Sequence, residues 1–434
     1  MKLLIVENVY MNKGSYGFFD KTLLTSFSIL PTLQARQIAA ITPEKHQVDL
    51  INERYKKIDF NKKYDIVHIN YTTSTTPRAY AIADKYRKKD TKVVLSGLHA
   101  SGIPNEAKKH ADSIILGNIE PTWLQILKDY KKGKIQKFYP PISYEESNVK
   151  IPPTNVQLPG FNMIGAVQAT RGCPYQCHFC PSNNTNNSNY YKRPVEEVIS
   201  EIKKLPQKII MFYDDTLTVD PSYTKKLFTG LKKLNKKFLC NGNINVLAED
   251  KEFVKLSKKA GCLAWLVGFE SILQKNIKNI EKKTNKTKLY HKAVKNLHRN
   301  RIVTIGDFIF GFDHDNQQIF KKTLEFIKKI QIDVADFCIL TPFPGTKTYE
   351  KLDKENRILT KKWEEYNLKN TVFKPKNMTP EQLNNGVRKM YQNFYSPFNT
   401  AKRISKNIKL GIYPFFTTLA RNTVATMNSR KLFE

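Results

Sequence analysis

The stretch Thr170-Arg-Gly-Cys173-Pro-Tyr-Gln-Cys177-His-Phe-Cys180 places three thiols on one short loop, directly after the apolar run 164–168. A structural zinc site is closed by four protein ligands, and no fourth cysteine or suitably spaced pair of histidines follows within reach. His178 stands next to Cys177 and is poorly placed to complete a tetrahedron. A cubic four-iron cluster held by three thiolates instead keeps one iron open to an outside ligand. The spacing therefore predicts an iron–sulfur cluster on Cys173, Cys177 and Cys180.

The region around this loop, residues 162–350, alternates strand and helix patterns. Its helical segments are rich in lysine, and the apolar runs between them have the length of buried strands. Six strand–helix units suit a partial (β/α)6 barrel rather than a closed eightfold one, and the functional groups of a barrel belong at the carboxyl ends of its strands. The predicted strands are 164–168, 208–213, 238–244, 264–268, 304–310 and 336–340.

Residues 1–135 predict a separate α/β domain with a doubly wound parallel sheet. Its apolar runs are nearly continuous, which is typical of strands covered on both faces. A helix is predicted over 77–89, with Pro77 in its first turn. Residues 136–161 are rich in proline (Pro140, Pro141, Pro152, Pro153, Pro159) and predict a linker, whereas 351–434 is expected to be mostly helical. The predicted strands of the first domain are 2–6, 46–51, 65–70, 92–96 and 113–116.

The composition, with 40% hydrophobic and 26% charged residues, is that of a folded protein. The sequence shows neither an export signal nor an apolar run long enough to cross a membrane, so a cytoplasmic protein is expected. Six cysteines in that compartment do not indicate a disulfide framework. Cys240, Cys262 and Cys338 stand alone in the sequence and are expected to be buried as small apolar residues.

The formal net charge of +33 comes from 72 basic and 39 acidic residues. Clustered cations favour binding to nucleic acid. However, only 13 of the basic residues are arginine, the residue suited to bidentate contacts with phosphate and guanine, and the lysines are spread along the whole chain. Nucleic acid is therefore disfavoured as a partner. A solvated lysine-rich surface and a negatively charged surface or substrate remain as interpretations, and a zinc-stapled nucleic-acid-binding protein remains the non-enzymatic alternative.

The cysteine motif, with the aromatic Phe179 before its last cysteine, resembles the signature of the radical S-adenosylmethionine (SAM) superfamily. The resemblance implies a 4Fe-4S cluster whose open iron binds the amino and carboxylate groups of SAM. It also implies that SAM is cleaved to a 5′-deoxyadenosyl radical that takes hydrogen from a substrate. A low-potential electron donor such as flavodoxin or ferredoxin would reduce the cluster. In such enzymes the cofactors carry the difficult chemistry, and the protein supplies orientation and excludes water.

Other segments fall where this superfamily places its contacts to SAM. Asp214 and Asp215, which end the second strand, resemble the motif for the SAM amino group, but either could instead cap the next helix. The fourth strand ends in residues that could hold the ribose hydroxyls. The fifth-strand segment Gly306-Asp-Phe-Ile-Phe-Gly311 resembles the motif near adenine, where glycine allows close backbone approach. The implied cofactor-binding residues are Phe179, Asp214, Asp215, Asn243, Glu270, Ser271, Gly306 and Gly311.

An α/β domain before a radical SAM barrel resembles the cobalamin-binding subclass. The segment Ser96-Gly97-Leu-His99, followed by Pro104, is similar to the Gly-Gly-x-His motif of that subclass, although Ser96 replaces the first glycine. A second glycine segment follows at Gly117. The motif that supplies a lower histidine ligand to cobalt is absent, so the resemblance implies cobalamin bound without that ligand. Thr72 and Thr73 could bond to the corrin side chains or the nucleotide tail, whereas His99 could also be an ordinary surface histidine.

Segments at the end of the barrel and beyond it, Thr341-Pro-Phe-Pro-Gly345 and Phe373-Lys-Pro-Lys-Asn-Met-Thr-Pro380, are similar to the group that includes the hopanoid C-2 methylase. The resemblance implies a cobalamin-dependent C-methylase acting on a lipid-like or other small-molecule substrate. The alternative is an enzyme of the same architecture that catalyses cyclisation or another reaction without methyl transfer.

The tail beyond Ser396 combines an apolar stripe with positive charge. A basic amphipathic segment of this kind can lie at the surface of an anionic membrane, and peripheral association at the inner face is one interpretation. The other is that the apolar stripe packs on the barrel. Pro414 predicts two short helices rather than one. The stripe is Ile404, Ile408, Ile412, Phe416 and Leu419, and the cations are Lys402, Arg403, Lys406, Lys409 and Arg421.

Overall fold

The structure is a computed structural model that describes residues 1–8, 33–53, 56–147, 164–186 and 189–431. Most of the predicted linker, with Pro152, Pro153 and Pro159, lies outside the described residues. The described part of that stretch contains a short strand and a short helix, at 138–139 and 144–147.

The N-terminal domain contains an open sheet whose strands all run parallel. Within the described residues its strand order is β2-β1-β3-β4-β5-β6, which is a doubly wound arrangement. This confirms the predicted fold class of the domain. The sequence patterns did not indicate β6, because two residues are too few to show a periodic signal. The strands are β1 (Lys2–Asn8), β2 (Gln47–Asn52), β3 (Ile66–Asn70), β4 (Lys92–Ser96), β5 (Ser113–Ile115) and β6 (Phe138–Tyr139).

Both faces of this sheet are covered by apolar side chains. Val67 and Leu95 belong to one buried cluster, and their neighbours Ile66 and Val94 belong to the other. Successive side chains of a strand point to opposite faces, so strands buried on both sides need continuous apolar runs. The helices of this domain are α1 (Gln34–Ile41), α2 (Thr76–Arg87), α3 (Leu98–Gly102), α4 (Pro104–Ala107), α5 (Glu120–Lys131) and α6 (Tyr144–Ser147).

The second domain is a curved parallel sheet that forms a partial barrel. Its six strands in the described residues pair in the order β14-β13-β12-β11-β10-β7, and β7 and β14 are its two edges. This confirms the predicted partial barrel. A separate antiparallel pair, β8 (Thr170–Arg171) with β9 (Tyr191–Lys192), flanks the cysteine loop. The barrel strands are β7 (Ile164–Val167), β10 (Ile209–Phe212), β11 (Lys237–Gly242), β12 (Cys262–Glu270), β13 (Val303–Phe310) and β14 (Val334–Ile339).

Amphipathic helices cover the outer face of this sheet. The largest buried side chains between sheet and helices are aromatic, among them Phe212, Phe238 and Trp265. The helices are α7 (Asn183–Asn186), α8 (Val195–Lys204), α9 (Pro221–Leu231), α10 (Ile244–Glu249), α11 (Lys251–Ala260), α12 (Gln274–Asn279), α13 (Tyr290–Arg299) and α14 (Gln318–Ile330).

The C-terminal region is helical, as predicted, and packs on the edge of the barrel. Tyr395 donates from its hydroxyl to Ala335 O at 2.7 Å and so anchors the end of α16 to β14. The chain breaks between the last two helices at Gly411, whose φ is 106°, and not at Pro414 as predicted. Pro414 lies in the first turn of the last helix, where its missing N–H removes no helical hydrogen bond. The helices are α15 (Lys347–Lys354), α16 (Pro380–Phe394), α17 (Pro397–Asn407) and α18 (Ile412–Lys431).

Among the described residues, no helix has the length and apolar character needed to cross a membrane.

A buried ion pair joins the two domains directly before the cysteine loop. Arg171 Nη2 donates to Glu120 Oε1 at 2.6 Å and to Gln37 Oε1 at 2.9 Å. Tyr144 donates from its hydroxyl to the other oxygen of Glu120 at 3.0 Å. Burial opposes the charge of Arg171, but Glu120 and Tyr144 hold its pKa above the usual value. The barrel and the N-terminal sheet are therefore fixed to each other at this point.

The Glu120→Ala variant should lose about 3 kcal/mol of stability, because removing one partner leaves the other charge buried and unpaired. Chemical denaturation of the purified protein would measure this loss. Glu252→Ala is the matched control, because the Lys255–Glu252 pair lies on the surface with side chains 55% and 77% exposed. Its effect should stay within about 0.5 kcal/mol. Equal losses in both variants would contradict the structural role of Glu120.

Candidate active site

The cysteine loop is held between two barrel segments that lie far from it in sequence. His178 N donates to Ile280 O at 3.0 Å, and Thr348 N donates to His178 O at 3.0 Å. Within the loop, Cys180 N donates to Cys177 O at 3.0 Å and forms a tight turn. Gly172 precedes the first cysteine with a φ of 83°, a conformation that favours glycine. These bonds fix the three thiols in one compact loop after β8.

Burial raises the pKa of the free thiols, to about 12 for Cys173 and to about 11 for Cys177. Burial also raises the pKa of Cys180. Lys282 opposes the shift at Cys177 and Cys180, because its ammonium group favours nearby thiolates. Metal ligation requires deprotonated thiols, so Lys282 provides a positive charge that suits three bound thiolates.

The donor set fits a four-iron cluster. Each thiolate of such a cluster binds a different iron, so the sulfur atoms need not converge on one point. Within the residues that the structure describes, no three side chains of His, Cys, Asp or Glu are arranged to hold a single metal ion. The Nε2 atom of His178 lies 3.4 Å from Glu281 Oε1. Cys240 and Cys262 are buried away from the loop, as predicted, whereas Cys338 is only partly buried.

Asp214 and Asp215 support the cysteine loop on its two sides. The carboxylate of Asp214 is fully buried and accepts hydrogen bonds from Ala169 N at 3.1 Å and from Thr170 Oγ1 at 2.6 Å. Asp215 accepts from Ser182 Oγ at 3.0 Å, just after the last cysteine. Burial raises the pKa of Asp214 to about 6, although the hydrogen bonds from Thr170 and Ala169 act to lower it.

These contacts decide between the interpretations of the two carboxylates. Neither residue caps a helix, because Asp220 caps α9 by accepting from Tyr223 N at 3.0 Å. The capping interpretation of Asp214 and Asp215 is therefore wrong. Asp214 is buried and accepts bonds from the strand before the loop, whereas Asp215 is exposed.

Three polar atoms at the carboxyl ends of the strands find no hydrogen-bond partner among the described residues. They are Gln168 Oε1 after β7, Asn243 Nδ2 after β11 and Asn245 Oδ1 two residues later, and each is buried. A buried polar atom without a partner costs free energy, so such atoms mark places where a ligand or water completes the structure. Their position at this edge of the sheet fits a polar ligand such as SAM.

Glu270 ends β12 at a shift in its register with β13, and Ser271 follows directly. Glu270 is buried with a φ of 60° and forms an ion pair with Lys282. A Cβ on Gly268 would lie 2.3 Å from Glu270 Oε1, so the glycine leaves room for this pair. Ser271 Oγ accepts from Asn276 Nδ2 at 3.0 Å. Lys282 could not be predicted from the sequence, because one lysine among many carries no distinguishing signal.

At Gly306 and Gly311, neighbouring side chains occupy the space that a Cβ would need. A Cβ on Gly306 would lie 3.1 Å from the ring of Phe269, and a Cβ on Gly311 would lie 2.8 Å from Leu383 Cδ2. The space that these glycines leave is therefore filled by protein side chains. Phe179 is partly buried against the barrel core.

In the N-terminal domain, His99 is not a surface histidine. Its side chain is fully buried, and its ring lies edge-on to Trp363 with centroids 5.0 Å apart. Glu106 lies 3.5 Å from His99 Nε2 and also accepts from Trp363 Nε1 at 2.9 Å. His99 Nδ1 has no partner among the described residues. Trp363 thus covers the ring of His99.

The other predicted corrinoid residues lie at the carboxyl edge of the N-terminal sheet. Gly97 has a φ of 111°, and a Cβ there would lie 2.4 Å from Tyr71 O. Thr72 is exposed at the start of a short 3-10 turn, and Thr73 in that turn is buried. A Cβ on Gly117 would lie 3.1 Å from Thr185 O, in the segment after the cluster cysteines.

The two predicted cofactor regions meet at one residue. Asn184 Nδ2 donates to Leu98 O at 3.4 Å and to Pro344 O at 2.7 Å. Asn184 lies shortly after Cys180, Leu98 lies between Gly97 and His99, and Pro344 follows the last barrel strand. The carboxyl edges of both parallel sheets therefore face each other across the cysteine loop.

Comparison with known proteins extends these observations. Residues 167–327 match the radical SAM superfamily, and residues 346–429 match a domain of unknown function (DUF4070). Bacteriochlorophyllide d C-12(1)-methyltransferase of Chlorobaculum tepidum is 28% identical over 397 residues, which cover 88% of this chain and 86% of that protein. Hopanoid C-2 methylase of Rhodopseudomonas palustris is 23% identical over 207 residues, which cover 45% of this chain and 39% of that protein.

The fold also matches a solved structure over both domains. The cobalamin-dependent SAM radical enzyme OxsB, solved with aqua-cobalamin and SAM bound, superposes with a TM-score of 0.68 at 14% identity. The match covers 98% of this chain and 72% of OxsB. The superfamily match confirms the predicted 4Fe-4S cluster and SAM as cofactors. The chain is therefore a radical SAM enzyme, with its radical SAM domain over residues 167–327 and methyltransferases among its homologues.

Proposed function

We propose that the chain is a cobalamin-dependent radical SAM C-methyltransferase that acts on a lipid-like or other hydrophobic small molecule. The contact of Asn184 with Leu98 and Pro344 carries the proposal. Methyl transfer to a substrate carbon requires that the methyl donor and the cluster open onto one space. The contact joins the segment after the cluster cysteines to the segment expected to hold a corrinoid.

The homologues support the same reaction class. Bacteriochlorophyllide d C-12(1)-methyltransferase and hopanoid C-2 methylase both act, by their names, as methyltransferases on large hydrophobic molecules. OxsB shares the two-domain fold and binds cobalamin and SAM. These likenesses favour a corrinoid in the N-terminal domain of this chain and a hydrophobic substrate, either a tetrapyrrole or a lipid.

Each cofactor has a set of residues that would hold it. Cys173, Cys177 and Cys180 would bind the cluster. Lys282 would stabilise their thiolates, and Asp214 would hold the strand that enters the loop. When bound, the cluster supplies the electron that cleaves SAM, and the corrinoid supplies the methyl group. SAM would contact the strand ends, and the corrinoid would contact Thr72 and the edge around Gly97 and Gly117. The candidate SAM-binding residues are Gln168, Phe179, Asp215, Asn243, Asn245, Glu270 and Ser271.

Two partners follow from this assignment. The cluster must receive an electron from outside for each cleavage of SAM, so we infer a low-potential donor such as flavodoxin or ferredoxin. A hydrophobic substrate would favour a protein close to the membrane, so we also infer peripheral contact of the C-terminal tail with the inner membrane surface.

Loss of one cluster ligand should abolish the radical chemistry. The Cys177→Ala variant leaves one iron without a thiolate, so it should not form 5′-deoxyadenosine from SAM under reducing, anaerobic conditions. Chromatography of the reaction mixture would measure the product. Cys262→Ala is the matched control, because Cys262 is buried in the barrel core and donates to Ala264 O at 3.6 Å. It should retain cleavage, and retained cleavage in Cys177→Ala would contradict the cluster assignment.

Corrinoid binding and methyl transfer test the proposed reaction itself. Protein expressed with cobalamin and then desalted should retain corrinoid at close to one molecule per chain, visible in its absorption spectrum. Incubation with lipid or pigment extract and methyl-labelled SAM should place the label on a carbon of the product. Cleavage of SAM with an unlabelled, altered product would indicate a reaction without methyl transfer. Absence of retained corrinoid would contradict the proposal.

A further inference from the structure

The last two helices of the chain bury polar residues and expose apolar ones. Asn407 and Thr418 are buried and joined by a hydrogen bond of 3.0 Å from Asn407 Nδ2 to Thr418 Oγ1. Buried Asn422 donates to Asp333 O at 3.3 Å and accepts from Arg403 Nη2 at 2.8 Å. A helix that packs on its own core normally buries its apolar stripe. In this segment the buried contacts include polar side chains, because Asn407 and Thr418 join the two helices and Asn422 reaches the barrel.

Part of the apolar stripe of these helices faces outward, whereas Ile404 and Leu419 are half-buried. Of the six large apolar side chains that are exposed among the described residues, four lie in this segment. They are Phe398 at 75% exposure, Ile408 at 61%, Ile412 at 68% and Phe416 at 57%. Solvent-exposed apolar residues are common singly, but a contiguous group indicates a binding surface. The interpretation that the stripe packs on the barrel is wrong for Ile408, Ile412 and Phe416.

A basic cavity of about 490 Å³ opens beside this surface, between α17 and the ends of α13 and α14. Asp333, the single acidic residue of its lining, accepts from His298 Nε2 at 2.9 Å and from Thr304 N at 2.7 Å, so its charge is already engaged. Burial lowers the pKa of Arg403 to about 10, so its guanidinium stays charged at neutral pH. The cations of the lining are Lys328, Lys402, Arg403 and Lys406, together with His298 when protonated.

Exposed apolar residues and cations share one face of α17. Phe398, Lys402 and Lys406 are spaced four residues apart along α17 and are all exposed, so they lie on one face of the helix. Ile412 and Phe416 are spaced in the same way at the start of α18. The side chains of Lys409 and Pro414 lie outside the described residues. An apolar surface bordered by cations complements a bilayer with acidic headgroups.

We propose that α17 and the first half of α18 dock on an anionic phospholipid bilayer, with a phosphate headgroup entering the cavity beside Lys402 and Lys406. Phe398, Ile408, Ile412 and Phe416 would enter the boundary between headgroups and acyl chains. This inference deepens the membrane contact proposed above. It is independent of the methylation chemistry, because the cavity lies at the amino edge of β13 and β14, opposite the cysteine loop.

Sedimentation of the anaerobically purified, full-length holoenzyme with lipid vesicles tests the surface. Binding should be strong to vesicles of phosphatidylcholine mixed with phosphatidylglycerol, weaker to phosphatidylcholine alone, and reduced by salt. A double variant with Lys402→Gln and Lys406→Gln should bind the mixed vesicles roughly 25-fold more weakly, because each lysine near an anionic surface contributes roughly fivefold. Its matched control is Lys203→Gln with Lys204→Gln, two exposed lysines at the end of α8.

A second pair of variants tests the apolar part. Phe398→Ser and Phe416→Ser should each weaken binding to both kinds of vesicle by about tenfold, because each removes a large apolar side chain from the contact. Leu359→Ser, at the 53% exposed Leu359, should change nothing. At equal ionic strength, inorganic phosphate should compete with the mixed vesicles better than chloride if a headgroup enters the cavity.

Cleavage of SAM with a chemical reductant in solution separates this inference from the proposed enzyme function. All of these variants should retain it, because none lies near the cysteine loop. Equal binding of the wild type and the lysine or phenylalanine variants would overturn the docking surface and leave the enzyme function standing. A dimer that Phe398→Ser dissociates, without vesicle binding by the wild type, would assign the surface to a second copy of the chain. Equal competition by phosphate and chloride would overturn the headgroup site.

Discussion

The arrangement of this enzyme depends on one buried charge. Arg171 ends the short strand that leads into the cysteine loop, and its guanidinium is held by Glu120 and Gln37 of the N-terminal domain. A buried arginine without its carboxylate would be strongly unfavourable, so the two domains have one preferred arrangement at this point. The Cζ atom of Arg171 also lies over the ring of Tyr144, 5.9 Å from its centroid. The position of the loop relative to the N-terminal sheet thus follows from an ion pair two residues before Cys173.

The rest of the site is built outward from this point by buried polar contacts. Asp214 joins the end of β10 to the strand that enters the loop, and Asp215 joins it to the residues that leave the loop. Lys282 links the thiols to Glu270 at the end of β12. Each contact connects strand ends that are far apart in sequence. A parallel sheet brings these strand ends close together, because all of its carboxyl ends meet at one edge.

Much of this architecture could be predicted from local patterns. The strands of both sheets are apolar on two faces, so the apolar run alone predicts a buried strand at 92–96 or 304–310. The spacing of the three cysteines predicts an iron–sulfur cluster. Asp214 and Asp215 could be predicted because they follow a strand directly and resemble the superfamily's motif for the SAM amino group.

The remaining features depend on contacts that no local pattern contains. His99 is buried because Trp363, more than 250 residues later, covers its ring. Lys282 is one lysine in a lysine-rich chain, and only its pairing with Glu270 distinguishes it. The apolar stripe of the tail was visible in the sequence, but its direction was not, because the polar partners of Asn407 and Asn422 decide which face packs inward.

The proposed reaction requires that the cluster and a corrinoid open onto one space between the two sheets. Electron paramagnetic resonance of the protein loaded with both a reduced cluster and cob(II)alamin tests this most directly. We expect a spectrum broadened by magnetic coupling between the two centres, with the broadening absent from samples that hold either centre alone. A spectrum equal to the sum of the two separate spectra would contradict it.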